Sequence, residues 1–137
     1  MAARIRLVDY LYTTVPDKPG EACNILFKLS AAAVNLLAFS IVPMGTDETQ
    51  LVLFPDNLNS LVRASEDAGF LLSRPQRAIL VQGDDELGAL VDVHRKLGEA
   101  SINVFSSSGV TDGKGSFGYV MYIKSQDLDN AARILGL

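Results

Sequence analysis

The chain has 137 residues, 48% hydrophobic and 20% charged, with a net charge of −4. That is one ordinary domain or two small ones, apolar enough to bury a real core and without the low-complexity tracts of a disordered segment. The acidic balance excludes the field of Lys and Arg that wrapping nucleic acid or docking on anionic lipid requires, so neither is expected as a partner.

Residues 5–14 alternate and are rich in β-branched and aromatic types, which predicts a first strand ending at Pro16 and Asp17. Over residues 20–32, Ala22, Ile25, Leu26 and Leu29 recur at helical spacing. Residues 36–42 and 50–54 predict a hairpin, after which Asp56 is the expected cap of a helix carrying Leu58, Leu61 and Ser65. Residues 70–73 are a candidate fourth strand before Pro75. The order then repeats: a strand at 78–82, a helix at 88–100 with Leu90, Val93 and Leu97, strands at 104–110 and 117–123, and a helix capped by Ser125 that carries Leu128, Ala131, Ala132 and Leu135.

Sliding the chain against itself by 68 residues aligns the two halves without a gap. Asp17 falls on Asp85, Gly20 on Gly88, Ile25 on Val93, Leu29 on Leu97, Asn35 on Asn103 and Val52 on Val120. Charge divides evenly too, with 6 basic and 8 acidic side chains in residues 1–74 and the same numbers in 75–137. The expected fold is therefore α+β, two ferredoxin-like β-α-β-β-α-β repeats at 1–74 and 75–137, the second lacking its last strand. In such a sheet the fourth strand lies beside the first, so residues 78–82 would present an apolar edge that invites cover. Two routes are expected, another subunit or a segment of the first repeat, with a homodimer the favoured one.

The stretch Val15-Pro16-Asp17-Lys18-Pro19-Gly20-Glu21-Ala22, followed by Val34-Asn35-Leu36, resembles the signature of the ACT domain family. Asp85-Glu86-Leu87-Gly88-Ala89-Leu90 with Ile102-Asn103-Val104 resembles it more weakly. Ala33 and Ser101 stand where the family has a glycine, Leu87 replaces the turn proline, and Ala22 replaces a larger aliphatic residue. The resemblance implies a tandem, non-enzymatic regulatory protein that senses an amino acid or similar small effector. The implied contacts are Asp17, Pro19, Gly20, Glu21, Ala22, Asn35 and Leu36 in the first copy, and Asp85, Leu87, Gly88, Ala89, Leu90, Asn103 and Val104 in the second. Backbone N–H groups at the start of each helix suit a carboxylate, the asparagines offer donors and acceptors, and Asp17 or Asp85 would face an ammonium. Either copy remains open as the site. Asp84, Asp85 and Glu86 oppose an anion in the second, which makes the first the better anion site. The alternative is an assembly or regulatory subunit that binds a partner enzyme without a ligand of its own.

Other patterns carry less. Gly113-Lys114-Gly115-Ser116-Phe117-Gly118-Tyr119-Val120 spells a phosphate-covering loop, but a strand follows where a dinucleotide fold needs a helix, and the motifs of a kinase are missing, so a flexible hairpin is expected. Asp84, Asp85 and Glu86 read as a helix start and not a metal site, His94 has no adjacent nucleophile, and Cys23 reads as a small buried side chain. No catalytic residue, metal or cofactor is expected. One cysteine cannot form an internal disulfide, and neither a signal peptide nor an 18-residue apolar run is present, so a cytoplasmic protein is expected.

Overall fold

In the computed structural model, which describes residues 3–137, the elements run β1 (Arg4–Pro16), α1 (Glu21–Ala31), β2 (Leu36–Met44), β3 (Glu48–Pro55), α2 (Leu58–Ala68), β4 (Gln76–Asp84), α3 (Val91–Glu99), β5 (Ser106–Thr111), β6 (Ser116–Tyr122) and α4 (Ser125–Ile134). They form two compact units, one of residues Asp9–Gln76 and the other of the chain through Val8 together with Arg77–Leu137. The first half of β1 belongs with the second group of elements.

In the 9–76 unit β3 lies between β2 and β1, antiparallel to both, with Leu11 opposite Leu53 and Phe39 also opposite Leu53. Alternation sends Leu11, Val15, Leu51 and Leu53 to one face, where Ile25 and Leu29 of α1 and Leu61 and Ala64 of α2 complete the core. Each of these large side chains contributes roughly 1.5 to 3 kcal/mol when fully buried. Asn57, and not Asp56, caps α2: its Oδ1 accepts the Ser60 N–H at 3.1 Å. Residues 70–73 are not a regular strand, although they run beside β1. Ser73 donates its N–H to the Tyr12 carbonyl at 2.8 Å, but the Tyr12 N–H turns to the Ser73 hydroxyl at 2.9 Å, so a side chain takes the place of a backbone rung.

In the other unit the order is β1, β4, β6, β5. Ile79, Val81, Tyr119 and Met121 from the sheet meet Val93, Leu97, Leu128 and Ala131 from α3 and α4, and Ala3, Ile5 and Leu7 pack against this cluster. The edge expected to be bare along residues 78–82 is thus covered by the first half of β1, where Arg6 Nη2 reaches Gln82 Oε1 at 3.5 Å. The favoured homodimer route is not what covers it. Ser125 is the first residue of α4 and makes no capping bond; Lys124 holds the cap position.

Details of the backbone recur at the 68-residue spacing. The Asp17 N–H donates to Asp47 O and the Asp85 N–H to Gly115 O, both at 2.8 Å. The Val34 N–H donates to Leu29 O and the Ile102 N–H to Leu97 O, both at 2.9 Å. Ala33 and Ser101 share a left-handed φ, 57° and 58°, in the place of the expected glycine.

Candidate functional site

β4 delivers the chain at Asp84, directly across from Ser116 of β6, into a turn that delays α3 until Val91. The predicted helix start at Gly88 is delayed: the Val91 N–H closes a three-residue turn onto Gly88 O, and the His94 N–H bonds Leu90 O, the residue that holds the cap position. Gly88 holds a φ of 75°, a conformation a side chain would disfavour. The bond from Asp85 to Gly115 then ties the turn to the tip of the β5–β6 hairpin.

Between the turn and the hairpin lies a cavity of about 490 Å³ lined by Asp85, Glu86, Gly88, Ala89, Leu90 and Val91 on one side. Gly109, Val110, Thr111, Phe117, Gly118 and Tyr119 form the other. Its size is that of a small-molecule site. Tyr119 is buried and tightly placed. Gly109 is its cross-strand neighbour, and a Cβ there would come within 3.0 Å of the tyrosine Cδ1, so the glycine makes room for the ring. The tyrosine hydroxyl lies 2.7 Å from Nε2 of His94 on α3. His94 therefore acts on the position of Tyr119.

The hairpin tip is pinned from within. Asp112 Oδ1 accepts the N–H of Lys114 at 2.7 Å and of Ser116 at 3.1 Å. Those two backbone bonds, Lys114 first, hold the Asp112 carboxyl below its ordinary 3.8. Outside the cavity, Asp92 bridges to Lys96 at 3.2 Å and to Arg95, and the Lys96 hydrogen bond leads in holding its carboxyl low.

The structure gathers Asp85, Gly88, Ala89 and Leu90 at the cavity and leaves Leu87 fully exposed beside it. Asn103 and Val104 follow the opposite end of α3. In the 9–76 unit Asp17, Pro19 and Gly20 are exposed and Glu21 and Ala22 half-buried at the start of α1, and Cys23 is exposed and not the buried side chain expected. Asn35 and Leu36 lie past its end, on a separate cavity of about 490 Å³ with Leu26, Leu29, Ser30, Ala33 and Val34. A helix of α1's 11 residues spans about 16 Å, so within one unit the glycine and the asparagine do not meet on one small molecule. The hairpin wall is what sequence reasoning missed. Its strands were predicted, but their register, with Gly109 facing Tyr119, was not. The signal available was the turn Asp112-Gly113-Lys114-Gly115, which fixes that register.

Among the described residues no helix is long and apolar enough to cross a membrane, and no cluster of three metal-ligating side chains occurs. Among the described residues, six strands and four helices make an α+β fold, with a cavity at a strand-to-helix turn. No family model matches the chain, and none of the curated proteins does. Solved structures do match. Protein BT0572 from Bacteroides thetaiotaomicron superposes with a TM-score of 0.80 at 16% identity, over 96% of this chain and 88% of that one. The regulatory subunit of aspartate kinase from Thermus thermophilus gives 0.66 at 11% identity, over 98% and 95%. The corresponding subunit from Thermus flavus gives 0.58 at 11%, over 98% and 95%. At such identities the likeness is one of fold.

Proposed function

We propose that the chain is a tandem pair of ACT-like domains that binds a small amino-acid effector and acts as a non-enzymatic regulatory protein. The observation that carries this reading is the cavity where the turn after β4, the start of α3 and the β5–β6 hairpin converge. It joins backbone polar groups, carboxylates and apolar walls at a scale suited to an amino acid. The hydrogen bonds and left-handed residues repeated at 68-residue spacing support the tandem arrangement. The fold shared with regulatory subunits of aspartate kinase supports the regulatory role. A cytoplasmic setting and a homodimer complete the proposal, with the signal passed through that dimer or to a partner enzyme.

Ligand binding to the folded state raises stability by about 2.7 kcal/mol at one hundred times Kd. A thermal-shift series of the full chain against the twenty common amino acids should therefore show a rise of several degrees for a restricted subset. No response to any of them removes this reading.

A second reading has its own support. On the edge strand β2, Ile41, Val42 and Met44 are exposed, as apolar contacts of an assembly subunit would be. That subunit would bind a partner enzyme and show no amino-acid response.

A further inference from the structure

The sheet face opposite α3 and α4 carries a charge that the described residues leave without a counter-ion. Alternation along β1 sends Ile5 and Leu7 to the helix side and Arg4 and Arg6 to the other. Arg6 Nε is buried without a hydrogen-bond partner, and Nη2 reaches Gln82 Oε1 only at 3.5 Å. No ion pair among the described residues includes Arg6. A buried guanidinium N–H that has lost water and found no acceptor is costly, and an anion is the group that satisfies it.

The strand register builds a surface beside that arginine. Gln82 on β4 pairs with Gly118 on β6, and Gly118 with Val110 on β5, so the three lie in one row on the Arg6 side of the sheet. Phe117 and Tyr119, which wall the cavity at α3, point to the other side. A Cβ on Gly118 would meet nothing within 4 Å, so the row dips at its centre. Leu80 and Val120 in the next row are buried, and Val110 is 74% exposed.

We propose that this face binds a small carboxylate with an aliphatic tail, the carboxylate on Arg6 and Gln82 and the tail across Gly118 against Val110. The site is separate from the cavity and independent of the amino-acid reading. Arg6 offers Nε–H and an Nη–H side by side, the fork that a carboxylate accepts with both oxygens, and Gln82 adds an amide N–H2. Arg4, exposed on the same face, adds attraction at longer range. Asp84 shares the face, two residues from Gln82, and the chain is net −4, which favours a monoanion over a phosphate dianion. Neighbouring strands lie about 4.8 Å apart, so the path from Gln82 to Val110 is about 10 Å, the reach of a carboxylate carrying about five further carbons.

Amide chemical-shift titration of the full chain with hexanoate, hexanamide and acetate tests this. Hexanoate should give saturable shifts centred on Gln82, Gly118 and Val110. Hexanamide has the same length without the charge, and acetate the charge without the tail; each should bind at least about tenfold more weakly. Arg6→Gln should bring hexanoate down to the level of hexanamide. Gly118→Val, whose side chain enters open space, should bring hexanoate down to acetate and leave acetate unchanged. The proposal is overturned if hexanamide binds as tightly as hexanoate, if the shifts centre elsewhere, if no probe binds, or if either folded variant keeps the parent's affinity for hexanoate. Where Arg6→Gln does not fold, the three probes and Gly118→Val decide. An amino acid bound in the cavity shifts residues on the other side of the sheet, so the two readings fail separately.

Discussion

Ala33 and Ser101 hold a left-handed backbone after α1 and α3, with φ of 57° and 58°, and each N–H closes a turn onto a carbonyl three residues back, Ser30 and Gly98, at 3.0 Å. An L-residue there costs roughly 1 to 2 kcal/mol relative to a right-handed conformation. Glycine removes that strain and loses part of the gain to unfolded-chain entropy. Ala33→Gly and Ser101→Gly should each therefore stabilise the protein, by about 0.5 to 1 kcal/mol, read as a higher urea midpoint with the same slope. A lower midpoint would show that the side chain contributes more than the strain it causes. The opposite logic holds at Gly109. An added methyl would meet Tyr119 Cδ1 at 3.0 Å, so Gly109→Ala should move the ring and cost about 1 to 3 kcal/mol, with the Tyr119 and His94 resonances shifted together. The sequence pointed to the left-handed positions only through the glycine of the resembled family, and an Ala and a Ser there argued against the left-handed turn that both adopt. The Gly109 and Tyr119 pair was not legible, because its one signal is the hairpin turn that sets the register several residues away.

Helices α1 and α2 and the long strands follow from periodicity because each has one face to bury, and a slip would expose it. Signals fail at element ends. The turn at 86–90 and the stretch at 70–73 are set by individual hydrogen bonds, Ala89 to Glu86 and Tyr12 to Ser73 Oγ, which carry no pattern in composition. The β5–β6 tip is the same kind of case. Three glycines in six residues predict mobility, whereas the Asp112 carboxylate fastens the loop through Lys114 and Ser116. Its folded-state pKa lies below the ordinary 3.8, so the stabilisation is fully present above that value and is lost as pH falls through the lower folded one. Amide exchange at Lys114 and Ser116, corrected for the intrinsic pH dependence, should therefore lose protection under acid, and Asp112→Asn should remove this pH step. Protection that stays constant down to the lowest pH at which the protein is folded would mean that the loop holds without the charge.

At the scale of the whole molecule, the 13-residue β1 is longer than a single sheet of this size needs, and its two halves serve different cores. Leu11 and Val15 pack with α1 and α2, while Ile5 and Leu7 pack with the cluster of β4, β6, α3 and α4. The excess length was visible in the sequence. Its use was not, since alternation reveals which face of a strand is buried but not which strand lies beside it. Covering β4 in this way supplies the strand that the second β-α-β-β-α series lacks and removes an edge on which Ala78, Ile79, Leu80 and Val81 would otherwise invite pairing. A variant beginning at Asp9 should consequently lose protection at the β4 amides that face β1, and should self-associate as the uncovered edge finds another copy. Leu7→Ala tests the packing without removing backbone: the side chain is half-buried, so a loss of about 1 to 2 kcal/mol is expected, with β4 still protected. Exchange measured residue by residue separates these effects. If β4 amides in the truncated chain remain as protected as in the full one and the protein stays monodisperse, the first half of β1 is not what guards that edge, and the unit completes its sheet in another way.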